Sequence, residues 1–181
     1  LIVKPSKQRF IMANEPLTAA RLRKVIHYAP DTGMFTRKVR LAQRHQAGDR
    51  ADTEISTSSM RGYRRVSLFG QRYLAHRLAW FYVHGVWPEK HIDHINGDKG
   101  DNRISNLREA DDRINMENMR KAKSSNKVGL LGVHLHKQSG RWRARIEVRG
   151  KTLHLGLYGT PEIAHQEYLK AKRSLHEGCT I

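Results

Sequence analysis

Between Lys90 and Met119 the chain reads KHIDHINGDKGDNRISNLREADDRINMENM, and its polar residues fall at spacings that can do chemistry. Asp93 and His94 are adjacent and precede a polar loop; Asn106 follows on the returning segment, and Asn115 and Asn118 fall on a short helix. A carboxylate and a neutral amide oxygen can hold a hard divalent cation, and an imidazole can take a proton from water near neutral pH. Together these are the parts for hydrolysing a phosphodiester. Taken singly, an Asp-His pair is an exposed turn, an Asn beside an Arg is Asx-turn chemistry, and an Asn at a helix start satisfies backbone groups. It is their joint order that points to a site.

The elements must deliver these side chains to one place. On a regular strand neighbouring residues point to opposite faces, so Asp93 and His94 can share a site only if the strand ends or twists near Ile92-Asp93. The polar loop from Asn96 to Asn102 makes that ending plausible. Asp111 is the expected N-cap of the helix, which puts Asn115 on its second turn and Asn118 one turn further along the same face.

Upstream, a helix is expected over Leu17 to Tyr28, with Thr18 as N-cap and Leu17 and Leu22 as a hydrophobic staple. Pro30-Asp31-Thr32-Gly33 ends it in a turn, and Met34-Phe35-Thr36 reads as a short strand. Arg37 to Ser59 is polar and basic, expected as a long loop that could lie against phosphate. Arg64 to Phe69, a Gly70-Gln71 turn and Arg72 to Leu74 read as a hairpin, and His76 to His84 as a helix stopped by Gly85. His76 could approach the site or a phosphate, with packing the favoured expectation, and His84 and His91 are expected to be exposed.

Downstream, Lys121 to Lys127 has linker composition. GVHLHK, RWRARIEVR and KTLHLGLYG, separated by Ser139-Gly140 and Gly150, read as a three-stranded antiparallel meander. Thr160-Pro161-Glu162 begins a helix whose apolar face is Ile163, Ala164, Tyr168, Ala171 and Leu175, stopped by Gly178. Period two puts Arg141, Arg143 and Arg145 on one face of the middle strand and Ala144, Ile146 and Val148 on the other. Arg149 and Lys151 flank the next turn.

Composition bounds the partner. The 181 residues carry 34 Lys+Arg against 17 Asp+Glu, a formal net charge of +17. Such an excess repels itself unless a polyanion neutralises it, so nucleic acid is the expected partner. A membrane surface would call for a long basic amphipathic helix or an apolar span, and neither is found. The one cysteine, Cys179, excludes an intrachain disulfide and a Cys-based zinc site and suits a reducing compartment. The opening LIVKPSKQRFIM lacks a signal-peptide core and is expected to be a tail.

The Asp-His pair, central Asn and helical Asn resemble the HNH endonuclease family and its ββα-metal fold, in the order found in phage and homing enzymes. Asn106 lies twelve positions after His94 and Asn115 nine positions further, which fits that pattern without insertions. The resemblance implies that Asp93 and Asn115 hold the metal, that His94 activates water, and that Asn106 orients the His94 ring. Many of these enzymes carry a second His where this chain has Asn115; an amide oxygen favours magnesium or manganese over zinc. Asn118 is open between a ligand and a structural contact.

Residues 129–178 resemble the apetala-two/ethylene-response-factor DNA-binding domain, in which a three-stranded sheet lies in the major groove. That implies DNA contacts from Arg141, Arg143, Arg145, Arg149 and Lys151, with Trp142, which alternation puts on the core side, as a further contact to the backbone. The expected fold is α+β: a ββα-metal nuclease domain followed by a small three-stranded antiparallel sheet packed on one helix. The expected boundaries are a tail at 1–12, a nuclease domain at 13–122 with its core motif at 90–119, a linker at 123–129 and the DNA-binding domain at 130–178. The implied function is a metal-dependent phage or homing DNA endonuclease. It would act on double-stranded DNA in the cytoplasm of a bacterial or phage-infected cell, as a monomer or weak dimer. A monomer with one such site would nick. The alternative is a non-catalytic, sequence-specific DNA-binding regulator that carries an inert site.

Overall fold

The computed structural model describes residues 16–123 and 125–181. The expected tail, 1–12, lies outside the described residues. The chain forms two compact units that divide between Glu109 and Ala110.

In the first unit Thr18 caps α1 (Ala19–Val25), its hydroxyl accepting from Arg21 N at 3.1 Å. The expected helix to Tyr28 stops three residues early. Ile26, His27, Tyr28 and Ala29 instead form β1 (Ile26–Ala29), with Ile26 and Tyr28 buried and His27 exposed, paired antiparallel with β2 (Met34–Arg37). β-branched and aromatic residues fill a half-buried pleat better than a helix turn. Gly33 makes the hairpin turn in the left-handed region at φ 71°, its N–H bonded to Ala29 O at 2.8 Å.

The polar stretch expected as a loop contains a strand, β3 (Asp52–Glu54), on the edge of a sheet of order β3-β4-β5 with β4 (Arg64–Leu68) and β5 (Gln71–Leu74). A buried carboxylate, not an apolar pattern, holds it there. Asp52 accepts from Arg50 Nε at 3.1 Å, from Arg50 Nη2 at 3.2 Å, from Arg64 Nε, and from Phe35 N in β2 at 3.3 Å. Burial alone would raise its pKa, but the bonds to Arg50 and Arg64 outweigh that and hold it below the usual carboxylate value. The β4–β5 turn is Phe69-Gly70, both at positive φ (51° and 81°), as a two-residue hairpin loop demands.

Helix α2 (Ala75–His84) follows β5 directly, buries Ala75, His76, Leu78, Ala79 and Phe81, and ends at Gly85, whose N–H bonds Phe81 O at 3.0 Å. Leu22, Ile26, Phe35, Val66, Leu68 and Leu78 form the centre of the core around it. Arg77 of α2 donates to Pro88 O at 3.0 Å and Lys90 O at 3.1 Å, and Trp87 stacks on Phe81 at 4.2 Å. These contacts lead the chain into β6 (His91–His94), which forms a two-stranded sheet with β7 (Leu107–Ala110).

The second unit holds α3 (Asp112–Glu117), β8 (Val133–His136), β9 (Arg141–Val148), β10 (Lys151–Tyr158) and α4 (Pro161–Leu175). The three strands form an antiparallel meander of order β10-β9-β8. Val133, Ala144 and Ala164 are its fully buried centre, flanked by Trp142, Leu155 and Tyr158. Thr160 caps α4 with Pro161 in the first turn. Within the expected linker, Asn126 turns the chain by accepting from Val128 N at 3.0 Å and donating to Leu130 O at 2.8 Å. Among the described residues no helix is long and apolar enough to cross a membrane.

The tip of the β1–β2 hairpin lies against the chain just before β7. A Cβ on Gly33 would stand 2.5 Å from both Arg103 N and Asn102 C, and Tyr28 Oη donates to Asn102 O at 2.7 Å. Gly33→Ala should therefore lower the unfolding free energy by about 1–3 kcal/mol in denaturant titrations, from backbone strain and overpacking together. An unchanged midpoint would mean that the hairpin does not bear on this loop.

Candidate active site

The segment between β6 and β7 has no apolar residue from Asn96 to Asn102, so hydrogen bonds must give it order. Asn96 Oδ1 accepts from Asp98 N and Asp98 Oδ1 from Gly100 N, at 2.9 and 2.8 Å, two successive Asx turns. Asn96 Nδ2 donates to Asp101 Oδ2 at 2.7 Å. Arg103 donates to Asp101 through Nε at 2.9 Å and Nη2 at 2.6 Å, and these bonds are the main cause of a carboxyl pKa lowered to about 2.

Asn106 closes the loop. Its Oδ1 accepts from Asn96 N at 2.9 Å, its Nδ2 donates to Asp101 O at 2.8 Å, and its own carbonyl accepts from Ile95 N at 2.9 Å. The resemblance implied that this amide would orient the His94 ring; its hydrogen bonds to Asn96 and Asp101 place it on the loop backbone. The side-chain amide beside the ring is that of Asn102, whose Oδ1 lies 3.4 Å from His94 Nε2 while its Nδ2 donates to Gly100 O at 3.1 Å. Asn102 is fully buried, and the hairpin tip and Tyr28 hold its backbone.

His94 is itself 4% exposed and sits in a cluster of rings. His76 of α2 meets it edge-on at 5.2 Å between centroids, and Tyr63 lies 5.9 Å from His94 and 5.2 Å from His76. Burial lowers the His94 pKa below the ordinary imidazole value, opposed by the Asn102 bond and by Asp93, Asp101 and Asp98. The ring is neutral at neutral pH, the form that a general base needs. Burial, then His94 and Arg77, push His76 down to about 3.

Asp93, the preceding residue on β6, is also buried, and Arg108 of β7 sends both Nε and Nη2 to its Oδ2 at 3.0 and 2.9 Å. A buried carboxylate without a counter-charge would be costly, and the guanidinium supplies one. Adjacent strand residues are thus both brought inside, as a strand that ends at His94 permits. Arg108, Asn102 and Tyr63 escaped the sequence reading: each enters through tertiary pairing, and only Asn102 lies within the loop that the motif marks.

Asn115 is exposed on α3 and belongs to the second compact unit, whereas Asp93, His94 and Asn106 belong to the first. Asp111 caps α3 by accepting from Ile114 N at 2.8 Å, as its place in the chain implies. Asn118 is buried at the C-cap and accepts from the Thr180 hydroxyl, a structural contact. No group of three or more His, Cys, Asp or Glu among the described residues is arranged to hold a metal ion. The candidate donors are one carboxylate and one amide oxygen. Oxygen donors of this kind are hard and suit a divalent cation that keeps water and phosphate among its ligands.

On β9, Arg141, Arg143 and Arg145 alternate with the buried Ala144 and Ile146. Their cross-strand neighbours are His136 and His134 on β8 and His154 on β10. Trp142 lies on the opposite face, partly buried against the Val133–Ala144–Ala164 core. Arg149 occupies the β9–β10 turn at φ 50° and pairs with Glu177 at 3.1 Å, and Lys151 is exposed at the start of β10.

The neutral, buried histidines make folding pH-dependent with a definite sign. In the unfolded chain each imidazole protonates near its ordinary pKa of about 6.5. The stability is therefore fully present above that pH and is lost as pH falls toward the lowered folded values. Denaturant titrations from about pH 7 to 4 should show a loss of up to about 1.4 kcal/mol per pH unit for each such histidine, and His76→Gln should flatten the slope. Identical slopes for the two proteins would remove His76 from this effect.

With this geometry in view, residues 73–117 match the family model of the HNH endonucleases, a stretch running from the end of β5 to the end of α3. It contains His76, Asp93, His94, Asn106 and Asn115. No curated protein and no solved structure matches the chain. The family match supports an HNH nuclease, a class that uses a divalent metal ion and takes DNA as its substrate.

Proposed function

We propose that the protein is a metal-dependent DNA endonuclease in which His94 is the general base and Asp93 and Asn115 hold the metal ion. The observation that carries this is the setting of His94: neutral, buried, beside the Asn102 amide and next in chain to a compensated carboxylate, inside the stretch similar to HNH endonucleases. His94 accepts the proton of the attacking water, and burial keeps its ring ready to do so at neutral pH. Asn102 accepts a long hydrogen bond from Nε2 in the tautomer protonated there, which restrains the ring. Arg108 holds the Asp93 carboxylate in place. Asn106 keeps the loop that carries Asn102 closed. When bound, a divalent cation supplies charge stabilisation for the phosphoryl oxygens and the leaving oxygen.

Targeting is proposed for the C-terminal sheet. Arg141, Arg143 and Arg145 present planar guanidinium groups from one face, and His134, His136 and His154 border them. Bidentate contacts to guanine or phosphate suit that arrangement. Arg149 and Lys151 extend the basic edge at the turn.

The test is a supercoiled plasmid incubated with purified protein in Mg²⁺ or EDTA, with binding measured separately by gel shift in EDTA. The wild type should convert plasmid to open circles in Mg²⁺ only. His94→Ala should lose at least about 10²-fold in rate while binding DNA normally. The triple Arg→Ala change at positions 141, 143 and 145 should weaken binding and lower its salt dependence by up to about one log–log unit per lost phosphate contact. Wild-type cleavage by His94→Ala, or no Mg²⁺-dependent cleavage by the wild type, would contradict the proposal.

A further inference from the structure

We infer that Glu117, Lys172 and Gly178 are positioning residues for Asn115, so that the C-terminal unit builds and holds the helix on which this candidate ligand stands.

Helix α3 spans only Asp112–Glu117. A helix that short has no stability of its own and must be held by its surroundings. Apolar packing does little here: Met116 is 58% exposed, and the buried side chain of α3 is a glutamate. Polar contacts from the end of the chain take over. Glu117 Oε2 accepts from Gly178 N at 2.9 Å, and its Oε1 accepts from Arg113 Nη1 at 3.1 Å.

Lys172, on the inner face of α4 and 1% exposed, donates its ammonium to Met119 O, just past the C-cap of α3. A cation there satisfies a terminal carbonyl and complements the helix dipole. Arg120 Nη2 reaches Thr180 O at 2.9 Å, and Thr180 in turn donates to Asn118. The fit leaves no slack at Gly178, where a Cβ would stand 2.5 Å from Ile114 O and 2.9 Å from Glu117 Cβ.

Burying a lysine and a glutamate is costly unless each is fully hydrogen-bonded. Both are spent on α3, the element that carries Asn115. A further link runs to the sheet. Glu177 pairs with Arg113 of α3 at 3.0 Å and with Arg149 of the β9–β10 turn at 3.1 Å. These pairs are exposed and contribute little stability, but they tie the site helix and the basic sheet to one carboxylate. Removing the sheet and α4 would remove the support of Asn115, not merely a targeting module.

Because this rests on Asn115 as a metal ligand, the test carries that residue as its own arm. Mn²⁺ affinity of the full chain bound to DNA is measured by electron paramagnetic resonance, and DNA affinity is measured in EDTA. Glu117→Ala, Lys172→Met and Gly178→Ala should each weaken Mn²⁺ binding by at least about tenfold, the usual effect of losing a residue that orients a ligand. Glu117→Gln, which keeps an acceptor for the Gly178 N–H, should recover most of the loss, and DNA affinity in EDTA should stay within about twofold of wild type throughout. If Asn115→Ala binds Mn²⁺ like the wild type, the ligand reading fails. If Asn115→Ala is weakened while Glu117→Ala and Lys172→Met match the wild type, the positioning inference is overturned. A parallel loss of DNA binding and Mn²⁺ binding in Glu117→Ala and Lys172→Met would also overturn it, by showing general damage to the fold.

Discussion

The amide of Asn106 bonds both arms of the β6–β7 loop, accepting from Asn96 N and donating to Asp101 O, and the arrangement around His94 depends on that clamp. From Asn96 to Asn102 the loop has nothing apolar to bury, so its order comes chiefly from hydrogen bonds. Two Asx turns shape it, the Arg103–Asp101 pair stiffens one arm, and Asn106 fastens the two arms together. The β1–β2 hairpin supports it from outside through Gly33 and Tyr28. The product of these contacts is the fixed position of Asn102 beside the His94 ring.

Two adjacent residues on one strand are given different electrostatic settings. Burial among Tyr63, His76 and Asn102 keeps the His94 imidazole neutral. Asp93, equally buried, is compensated by Arg108. A proton acceptor and a counter-charged anionic oxygen thus sit side by side, the division of roles that metal-assisted phosphodiester hydrolysis requires. The net charge of +17 favours a polyanion as partner.

The side chains proposed to do chemistry were legible because their types and spacing lie within one short stretch of chain. Their supports were not. Tyr63 reaches His94 from outside the motif and Arg108 reaches Asp93 across a strand pair, so no local pattern announces them, whereas His76 stands out in the sequence and meets His94 edge-on. The first helix is shorter than its pattern implies because Leu22, Val25 and Ile26 fit a helical face while Ile26 and Tyr28 equally fit a strand, and pairing with β2 selects the strand. β3 has no sequence signal because its anchor is the buried carboxylate of Asp52 in a stretch without apolar rhythm. The C-terminal meander and the Arg face of β9 were readable from strict alternation and turn glycines. The burial of Glu117 and Lys172 has no sequence signal: an acid and a lysine look like surface residues until the fold brings Gly178 to Glu117 and Lys172 to Met119 O.

The most direct test of the site is the position of a metal ion. Crystals of the protein bound to DNA and soaked with Mn²⁺ should show an anomalous peak coordinated by the Asp93 carboxylate and the Asn115 amide oxygen, with His94 facing the phosphate. A peak elsewhere, with neither residue bound to it, would contradict the assignment.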